Sequence, residues 1–191
     1  MRRLEIDYNL GVMDALVSLS RYNFVVRTMN DKTKKVLDFG CGTGYGTKVL
    51  REHFKEVDCF DVVDEKDLGI SEQRGIITDF NALKNGYYDV VTCFEVIEHL
   101  DEKTQVGLME RLHALLNQNG TLFISTVRKM DPPPTLNRQQ EHIRELTYKE
   151  LLEFCNKHFS NVYTFGQIDQ VITTFYPENM YHFVFICTGK K

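Results

Sequence analysis

Three glycines at alternating positions, Gly40, Gly42 and Gly44, follow a short apolar run and precede an amphipathic stretch. Residues 36–39 have the length and composition of a buried strand, and the apolar residues after the glycines recur at helical spacing. A glycine turn between a strand and a helix lets a ligand approach bare backbone at the helix N-terminus. Glycine is required where φ is positive or where a Cβ would block the ligand. The stretch therefore predicts a binding loop for a nucleotide-like ligand.

Asp38 lies just before this loop and constrains the charge of the ligand. The spacing G-x-G-x-G differs from the G-x-G-x-x-G of dinucleotide-binding proteins, and a carboxylate at this position would repel a pyrophosphate. No Gly-Lys-Ser/Thr follows the turn, which excludes a phosphate-binding P-loop. We therefore expect a ligand with a positively charged amino group.

Two more acidic residues follow later apolar runs. Asp61 ends the second run, where a carboxylate can accept hydrogen bonds from both ribose hydroxyls of an adenosine. Asp64 and Glu65 are nearby alternatives for that role. Asp79 ends the third run, although Asp after a strand is also a common turn former. Ligands of open parallel sheets sit beyond the carboxyl ends of the strands, so we expect these residues at one site.

A second cluster follows the apolar run 88–94 and reads Glu95-Val-Ile-Glu98-His99. His99 is the first candidate for a general base and His142 is the second, although both also fit a structural role. Two carboxylates and two imidazoles would also suit a divalent ion that acidifies a hydroxyl. Our expectation is that no metal binds, with Glu95, Glu98, His99 and His142 as the alternative ligand set.

Apolar runs and helical patterns alternate along the chain, which predicts an α/β domain with a mainly parallel sheet. Strands are expected at about residues 35–39, 57–61, 75–78, 88–94, 120–127, 161–168 and 181–188. A helical lead-in is expected over residues 10–29, and residues 128–141 are expected to be rigid, polar and irregular.

Two further helices have local signals. The helix after Asp101 is predicted to bury the face formed by Val106, Met109, Leu112 and Leu116. Another helix opens at a capping box, Thr147-x-x-Glu150.

The composition predicts one soluble domain over residues 1–191, in which residues 1–34 form a helical lid or lead-in. The net charge of −4 makes a nucleic-acid partner unlikely. No apolar run approaches the length of a membrane span, and the N-terminal residues lack the apolar core of a signal peptide. Five cysteines without a C-x-x-C pair predict no disulfide framework and a cytoplasmic location.

The glycine loop with Asp38, the strand-end acids and the Glu95–His99 segment closely resemble the class I S-adenosylmethionine (SAM) dependent methyltransferases, including the quinone O-methyltransferase-like group. The resemblance implies a Rossmann-like fold: a mostly parallel seven-stranded sheet flanked by helices, with an antiparallel last strand. It implies SAM as cofactor and S-adenosylhomocysteine as product. The cofactor-binding positions that it implies are Tyr22, Asp38, Gly40, Cys41, Gly42, Gly44, Asp61, Asp79, Phe80 and Phe94.

The resemblance implies methyl transfer to an oxygen, or less readily a nitrogen, of a small polar acceptor. Glu95 would lie where cofactor and acceptor meet, with His99 or His142 removing the proton. Arg21-Tyr22-x-Phe24 resembles a lid-helix motif of bacterial methyltransferases encoded among glycan-modifying enzymes, which favours a sugar or glycan precursor.

Two alternatives remain open. Glu-x-x-Glu-His with a later His resembles the metal-binding set of small-RNA 2′-O-methyltransferases, which would imply metal-assisted RNA methylation. The other alternative is a SAM-binding partner subunit without chemistry of its own. The intact loop together with Glu95, Glu98 and His99 argues against it. The sequence identifies neither the acceptor nor the oligomeric state.

Overall fold

The computed structural model describes residues 12–62 and 76–191, which form one eight-stranded sheet flanked by helices. The strands are β1 (Lys35–Phe39), β2 (Glu56–Phe60), β3 (Ile76–Ile77), β4 (Tyr88–Phe94), β5 (Leu116–Val127), β6 (Phe159–Ile168), β7 (Val171–Thr173) and β8 (His182–Lys190). The helices are α1 (Val12–Thr28), α2 (Tyr45–His53), α3 (Glu102–Leu115), α4 (Leu136–Glu141) and α5 (Tyr148–His158). Short 3₁₀ turns cover Phe80–Ala82, Ile97–His99 and Pro177–Asn179.

The sheet has a parallel part and an antiparallel part. Its strand order is β3-β2-β1-β4-β5-β8-β6-β7, and the first five of these strands are parallel to one another. Strand β8 lies antiparallel between β5 and β6. The α/β class, the Rossmann-like arrangement and the antiparallel last strand are therefore confirmed. The sheet has one strand more than the seven predicted, because the three-residue β7 pairs with the edge of β6.

Apolar side chains cover both faces of the sheet. On one face α1 and α2 bury Tyr22, Val25, Leu50 and Phe54. On the other face α3 and α5 pack against the longer strands through residues such as Met109, Leu112, Leu115, Leu151 and Cys155. Both faces are thus covered, as parallel sheets require.

The buried face of α3 differs from the prediction. Met109 and Leu112 are buried as expected, but Val106 is 39% exposed. Gln105 is fully buried in the helix, where its side-chain amide donates to the carbonyls of Ile97 and Arg144. These hydrogen bonds let a polar side chain occupy a core-facing position, which hydrophobic periodicity does not reveal.

Three boundaries also bear on the predictions. The capping box of α5 is confirmed, with the Thr147 hydroxyl and the Glu150 carboxylate each bonded to the other's backbone N–H. Strand β5 begins earlier than expected because Leu116 already pairs with Tyr88, ahead of an irregularity in the ladder. The segment predicted as irregular contains helix α4, which Thr135 caps.

Parts of several predictions lie outside the described residues. These are the first residues of the helical lead-in, the absence of a signal peptide, the start of the third strand, and the alternatives Asp64 and Glu65. The assignment of one domain to the whole chain remains a prediction. Among the described helices, none combines the length and apolar character needed to cross a bilayer.

Candidate active site

A cavity of about 1020 Å³ opens at the carboxyl ends of the parallel strands. Its walls come from the segments that follow β1, β2 and β4, from helix α1 and from the start of β8. A site at this edge is where ligands bind in open α/β sheets. The cavity is at the upper end of the usual range for small-molecule sites, so it has room for more than one ligand group.

The glycine loop forms one wall of this cavity and uses its glycines for two different purposes. Gly40, Gly42 and Gly44 have φ values of 77°, 54° and 74°. A Cβ on Gly40 would collide with the side chain of Val96, whereas a Cβ on Gly42 would meet no protein atom within 4 Å. Gly42 therefore leaves open space at a cavity wall, and Gly40 allows the loop to pack against the segment after β4.

Asp61 lies at the end of β2 and lines the same cavity. Its side chain is 6% exposed, and the backbone N–H of Gly42 donates to its Oδ2 at 2.8 Å. The carboxylate is thus fixed against the glycine loop, where the sequence places a ribose ligand. The preference for Asp61 over Asp64 and Glu65 stays a prediction.

Asp38 has surroundings other than those expected of a ligand-binding residue. It is 1% exposed and lies outside the cavity lining. Its carboxylate accepts hydrogen bonds from the hydroxyls of Thr47 at 2.6 Å, Thr92 at 2.8 Å and Tyr22 at 3.3 Å. Burial raises the pKa of Asp38 above its usual range, although these hydroxyls oppose the shift. The predicted contact with a positive ligand group stays a prediction. Asp38 ties the loop to α1, α2 and β4.

The other proposed cofactor residues divide into two groups. Tyr22, Cys41, Phe80 and Phe94 line the cavity together with Gly40, Gly42 and Asp61. Gly44 and Asp79 do not belong to the lining that the described residues form. Gly44 precedes the first residue of α2, and Asp79 accepts a hydrogen bond from the backbone of Asn81, so both have a local role in shaping the turn. Their predicted contact with the cofactor stays a prediction.

Glu95 follows β4 directly and has a strained backbone, with φ of 54°. The hydroxyl of Ser125 donates to its Oε1 at 2.7 Å, Arg21 Nη1 lies 3.9 Å from the same oxygen, and His182 Nε2 lies 3.6 Å from Oε2. Burial alone would raise the pKa of Glu95, but Arg21, His182 and the Ser125 hydroxyl lower it below its usual range. Glu95 is thus an ionised carboxylate in the cavity wall.

His182 is a cavity residue that sequence reasoning missed. Burial lowers its pKa to about 4, and the nearby Glu95 only partly opposes this effect. The imidazole is therefore neutral near pH 7. His182 begins β8, in a run that reads as an ordinary strand, and no local motif marks it.

Glu98 is fully buried, unlike Glu95. The hydroxyl of Thr126 donates to its Oε2 at 2.9 Å, and Oε1 has no hydrogen-bond partner among the described residues. Burial, reinforced by the charge of Glu95, raises the pKa of Glu98 well above its usual range. Glu98 therefore favours its protonated form more strongly than an exposed carboxyl group does.

His99 and His142 lie together at the cavity, with ring centroids 4.9 Å apart and planes at 83°. Nδ1 of His99 lies 2.9 Å from the carbonyl oxygen of Glu141. A carbonyl only accepts, so Nδ1 carries the proton and the lone pair of the neutral ring is on Nε2. Burial lowers the pKa of His99, and His142 adds to this shift. Nδ1 of His142 lies 2.7 Å from Oε1 of Glu145.

Three of the four alternative metal ligands come together. Glu98, His99 and His142 each have one donor atom within 4.8 Å of the other two. Glu95 is not part of this group. Among the described residues the chain therefore has a three-residue donor set that it can offer to a cation.

Residues 14–173 match the family model described as a methyltransferase domain. This match extends over most of the chain, and the chain therefore belongs to the methyltransferase-domain family. It has the Rossmann-like fold of class I SAM-dependent methyltransferases, and SAM is the cofactor of this class. The resemblance seen in the sequence is confirmed at this level.

The curated relatives have more specific names, but the match covers only part of their length and part of this chain. The chain is 29% identical over 126 residues to the ubiquinone biosynthesis O-methyltransferase of Histophilus somni (strain 2336), covering 58% of this chain and 52% of the relative. It is 30% identical over 111 residues to the protein of the same name from Actinobacillus pleuropneumoniae serotype 5b (strain L20), covering 50% and 47%. The chain thus spans about half the length of the curated relatives it matches.

Solved structures show the same fold at low sequence identity. The 1,6-didemethyltoxoflavin-N1-methyltransferase of Burkholderia thailandensis, solved with 1,6-didemethyltoxoflavin and S-adenosylhomocysteine, superposes with a TM-score of 0.67 at 17% identity, covering 100% of this chain and 93% of that one. The methyltransferase domain of bacterial CtHen1-C gives a TM-score of 0.65 at 23% identity, covering 90% and 98%. Likeness at this identity establishes the fold, and the acceptor must be argued from the site.

Proposed function

We propose that this protein transfers a methyl group from SAM to a hydroxyl oxygen of a small acceptor. The observation that carries the proposal is the pair His99 and His142, which lines the same cavity as Gly42 and Asp61. The names of the curated relatives, which are O-methyltransferases, support oxygen as the methylated atom.

The residues at the glycine loop fit the cofactor. Gly42 leaves a wall without side-chain atoms, and Asp61 offers a fixed carboxylate of the kind that accepts hydrogen bonds from two ribose hydroxyls. Phe80 adds an aromatic ring that is 42% exposed at the cavity. We therefore propose that Gly42, Asp61 and Phe80 bind the cofactor.

The two histidines would handle the proton of the acceptor. SAM supplies an electrophilic methyl group when bound, so the protein has to align the oxygen and accept its proton. His99 is neutral at pH 7 because burial lowers its pKa, and its Nε2 is free of the proton that Nδ1 donates to Glu141. We propose His99 as the base, with His142 beside it as the second candidate.

This base favours an acidic hydroxyl as the acceptor. Proton transfer is efficient when the pKa values of donor and base are close, and a phenol has a pKa near 10, as in tyrosine. A sugar hydroxyl is much less acidic. The motif that favoured a sugar gives no information on the acceptor's chemistry, because Tyr22 lines the cavity beside the glycine loop and Phe24 packs on Phe165. We therefore place a phenolic acceptor first and a sugar or glycan precursor second.

A metal-assisted reaction is the second candidate, and the clustered donor atoms of Glu98, His99 and His142 support it. A divalent ion there would acidify an alcohol, which would extend the reaction to sugar or ribose hydroxyls. A metal requires the ionised form of Glu98, and the raised pKa of this carboxyl group opposes that form and so weakens metal binding. We therefore rank metal-independent transfer first. The net charge of −4 gives RNA no support as the acceptor.

One experiment separates these candidates. The purified protein is incubated with SAM and with a matched panel of a catechol, a reducing sugar and a primary amine, each with EDTA or with added Mg²⁺, Mn²⁺ or Zn²⁺. Methylated products are measured by mass spectrometry. We expect O-methylated catechol in the presence of EDTA. Transfer only to the sugar, lost with EDTA and restored by a metal, would favour the second candidate.

The same assay tests the non-catalytic alternative. A protein that binds SAM by calorimetry but methylates no member of the panel, with or without metal, would favour a partner subunit. Transfer to the amine alone would contradict oxygen as the methylated atom. A cytoplasmic location remains a further proposal, supported by five buried cysteines that form no disulfide.

A further inference from the structure

We infer that Glu145, itself held by Arg138, is a positioning residue that fixes His142 in the tautomer with its proton on Nδ1. The importance of this tautomer for turnover depends on the proposed function, in which the imidazoles at the cavity act on the acceptor. The tautomer itself depends only on hydrogen bonds among Arg138, His142 and Glu145.

The surroundings of Glu145 consist of hydrogen-bond donors. Its side chain is 9% exposed. Oε1 accepts from Arg138 Nε and faces His142 Nδ1 at 2.7 Å. Oε2 accepts from Arg138 Nη2 at 3.0 Å and from the backbone N–H of Met130 at 3.2 Å. A carboxylate that is paired with a guanidinium offers only acceptors, so the hydrogen bond to His142 requires a proton on Nδ1.

Arg138 is in turn held on every side. Its side chain is 6% exposed, and its remaining N–H groups donate to the carbonyl of Arg128 and to the hydroxyl of Tyr181 at 3.0 Å. The guanidinium therefore cannot follow Glu145 if that carboxylate moves. Arg138 and Glu145 form a bidentate pair, the geometry that fixes both side chains most firmly.

The result is that His142 presents its second nitrogen in the same state as His99. Each ring uses Nδ1 to donate to a fixed acceptor, which is the Glu141 carbonyl for His99 and the Glu145 carboxylate for His142. In the neutral rings, both Nε2 atoms then have lone pairs. Both rings line the cavity with their centroids 4.9 Å apart, and an uncharged nitrogen with a lone pair on each ring suits an acidic proton or a cation better than an anionic group.

Glu145→Gln removes the charged acceptor that fixes the tautomer of His142, and it keeps the size of the side chain. The glutamine amide can take two flipped orientations. In both of them its NH₂ group faces an N–H of Arg138, because Arg138 donates to both oxygens of the carboxylate that is replaced. With its NH₂ at the Oε1 position, glutamine would donate to His142 and move the ring proton to Nε2. Glu145→Asp keeps the charge that Arg138 needs but shortens the side chain, so it tests the same contact with less risk to folding.

The tautomer is measured directly by long-range ¹H–¹⁵N correlation spectra of the imidazole rings, with His99→Asn and His142→Asn used for assignment. We expect His142 with its proton on Nδ1 in the wild type, and a mixed or Nε2-protonated ring in Glu145→Gln and Glu145→Asp. His99 should keep its tautomer in both variants. Glu153→Gln removes one charge from a side chain that is 60% exposed on α5 and should change neither ring.

An Nε2-protonated His142 in the wild type, or an unchanged ring in both Glu145 variants, would overturn the inference. Turnover then tests the connection with catalysis. We expect Glu145→Gln to lower kcat by roughly 10–100-fold with little change in KM, as for other residues that orient a functional histidine. A changed tautomer with unchanged kcat would leave the positioning role intact and would remove His142 from the proposed function.

Discussion

The two ends of the cavity are built in different ways. The end that we propose for the cofactor, called the cofactor end, consists largely of backbone: the positive-φ glycines after β1 and the strand end that carries Asp61. The end that we propose for the acceptor, called the acceptor end, consists of side chains that converge from distant segments, among them Glu95, His99 and His142. Few substitutions preserve the backbone geometry of the loop. At the other end of the cavity, a single side chain can be replaced without changing the others.

This difference indicates which end of the cavity determines specificity for the acceptor. A backbone loop can bind one cofactor with little dependence on the residues around it. The acceptor end is determined by three separate contacts, His99 with Glu141, His142 with Glu145 and His182 with Glu95, so a small change in one segment alters the chemistry that it supports. Four predictions test this contrast, from the largest expected effect to the smallest.

Gly42→Val should abolish detectable SAM binding. Valine cannot adopt φ of 54° without strain, and its side chain would extend into the open space at the cavity wall. Calorimetry with SAM measures the effect. Gly86→Val is the matched control, because Gly86 also has a positive φ of 65° in open space but does not line the cavity. Near-normal SAM affinity in a folded Gly42→Val protein would contradict the assignment of the loop.

His99→Asn should lower kcat by about 10²–10⁴-fold and leave SAM affinity nearly unchanged, as expected for the loss of a general base. Asparagine can still donate to the Glu141 carbonyl, so the loop should keep its shape. His158→Asn, at the end of α5 and away from the cavity, is the control. An equally active His99→Asn enzyme would shift the role of base to His142 or leave catalysis to alignment alone.

The acceptor end should also be the acid-sensitive end. The pKa of His182 is lowered to about 4 by burial, below the ordinary value of 6.5, so the unfolded chain binds a proton first as the pH falls. Neutral His182 makes its full contribution to the free energy of unfolding above about pH 6.5. This contribution is lost as the pH falls through 4. The difference corresponds to about 3 kcal/mol.

Urea unfolding of the wild type and of His182→Gln across this pH range measures the effect. The free energy of unfolding should fall less steeply with acid in the variant. Identical slopes for the two proteins would contradict a neutral, buried His182.

Asp61→Ala should weaken SAM binding by about 1.5–3 kcal/mol, the usual value of hydrogen bonds to a charged group. Asp79→Ala provides the comparison, because the sequence predicts a cofactor contact there and the structure gives Asp79 a turn-capping role. Calorimetry should show a large loss for Asp61 and a small one for Asp79. The reverse order would mean that the cofactor lies differently along the strand ends.

The contrast between the two ends also explains which parts of the site could be predicted from the sequence alone. The glycine loop and Asp61 follow from local rules, because a strand, a turn and a helix are consecutive in the chain. The histidines His99 and His142 were recognised by type, but their pairing depends on a fold that brings residues far apart in sequence together. His182 and the Arg138–Glu145 pair have no local signal at all.

Asp38 shows a different limit of sequence reasoning. Both faces of a parallel sheet are covered, so strands lose the alternation that distinguishes inside from outside. The sequence indicates that a carboxylate lies at the end of β1. It does not indicate towards which face of the sheet this side chain points. Three hydroxyls on neighbouring segments decide this, and two of them, from Thr47 and Thr92, belong to elements that come later in the chain.

The position of β8 between β5 and β6 has a consequence for how the chain reaches this state during synthesis. Strand β6 has no place in the sheet until β8, which is later in the sequence, has paired with β5. Gln167 at the end of β6 adds hydrogen bonds to α1, accepting from Arg21 Nη1 at 2.9 Å and donating to the carbonyl of Val17 at 2.8 Å. A nascent chain on the ribosome therefore contains the glycine loop long before α1 can form these hydrogen bonds. We expect these contacts to form late in folding, because their partners are distant in sequence.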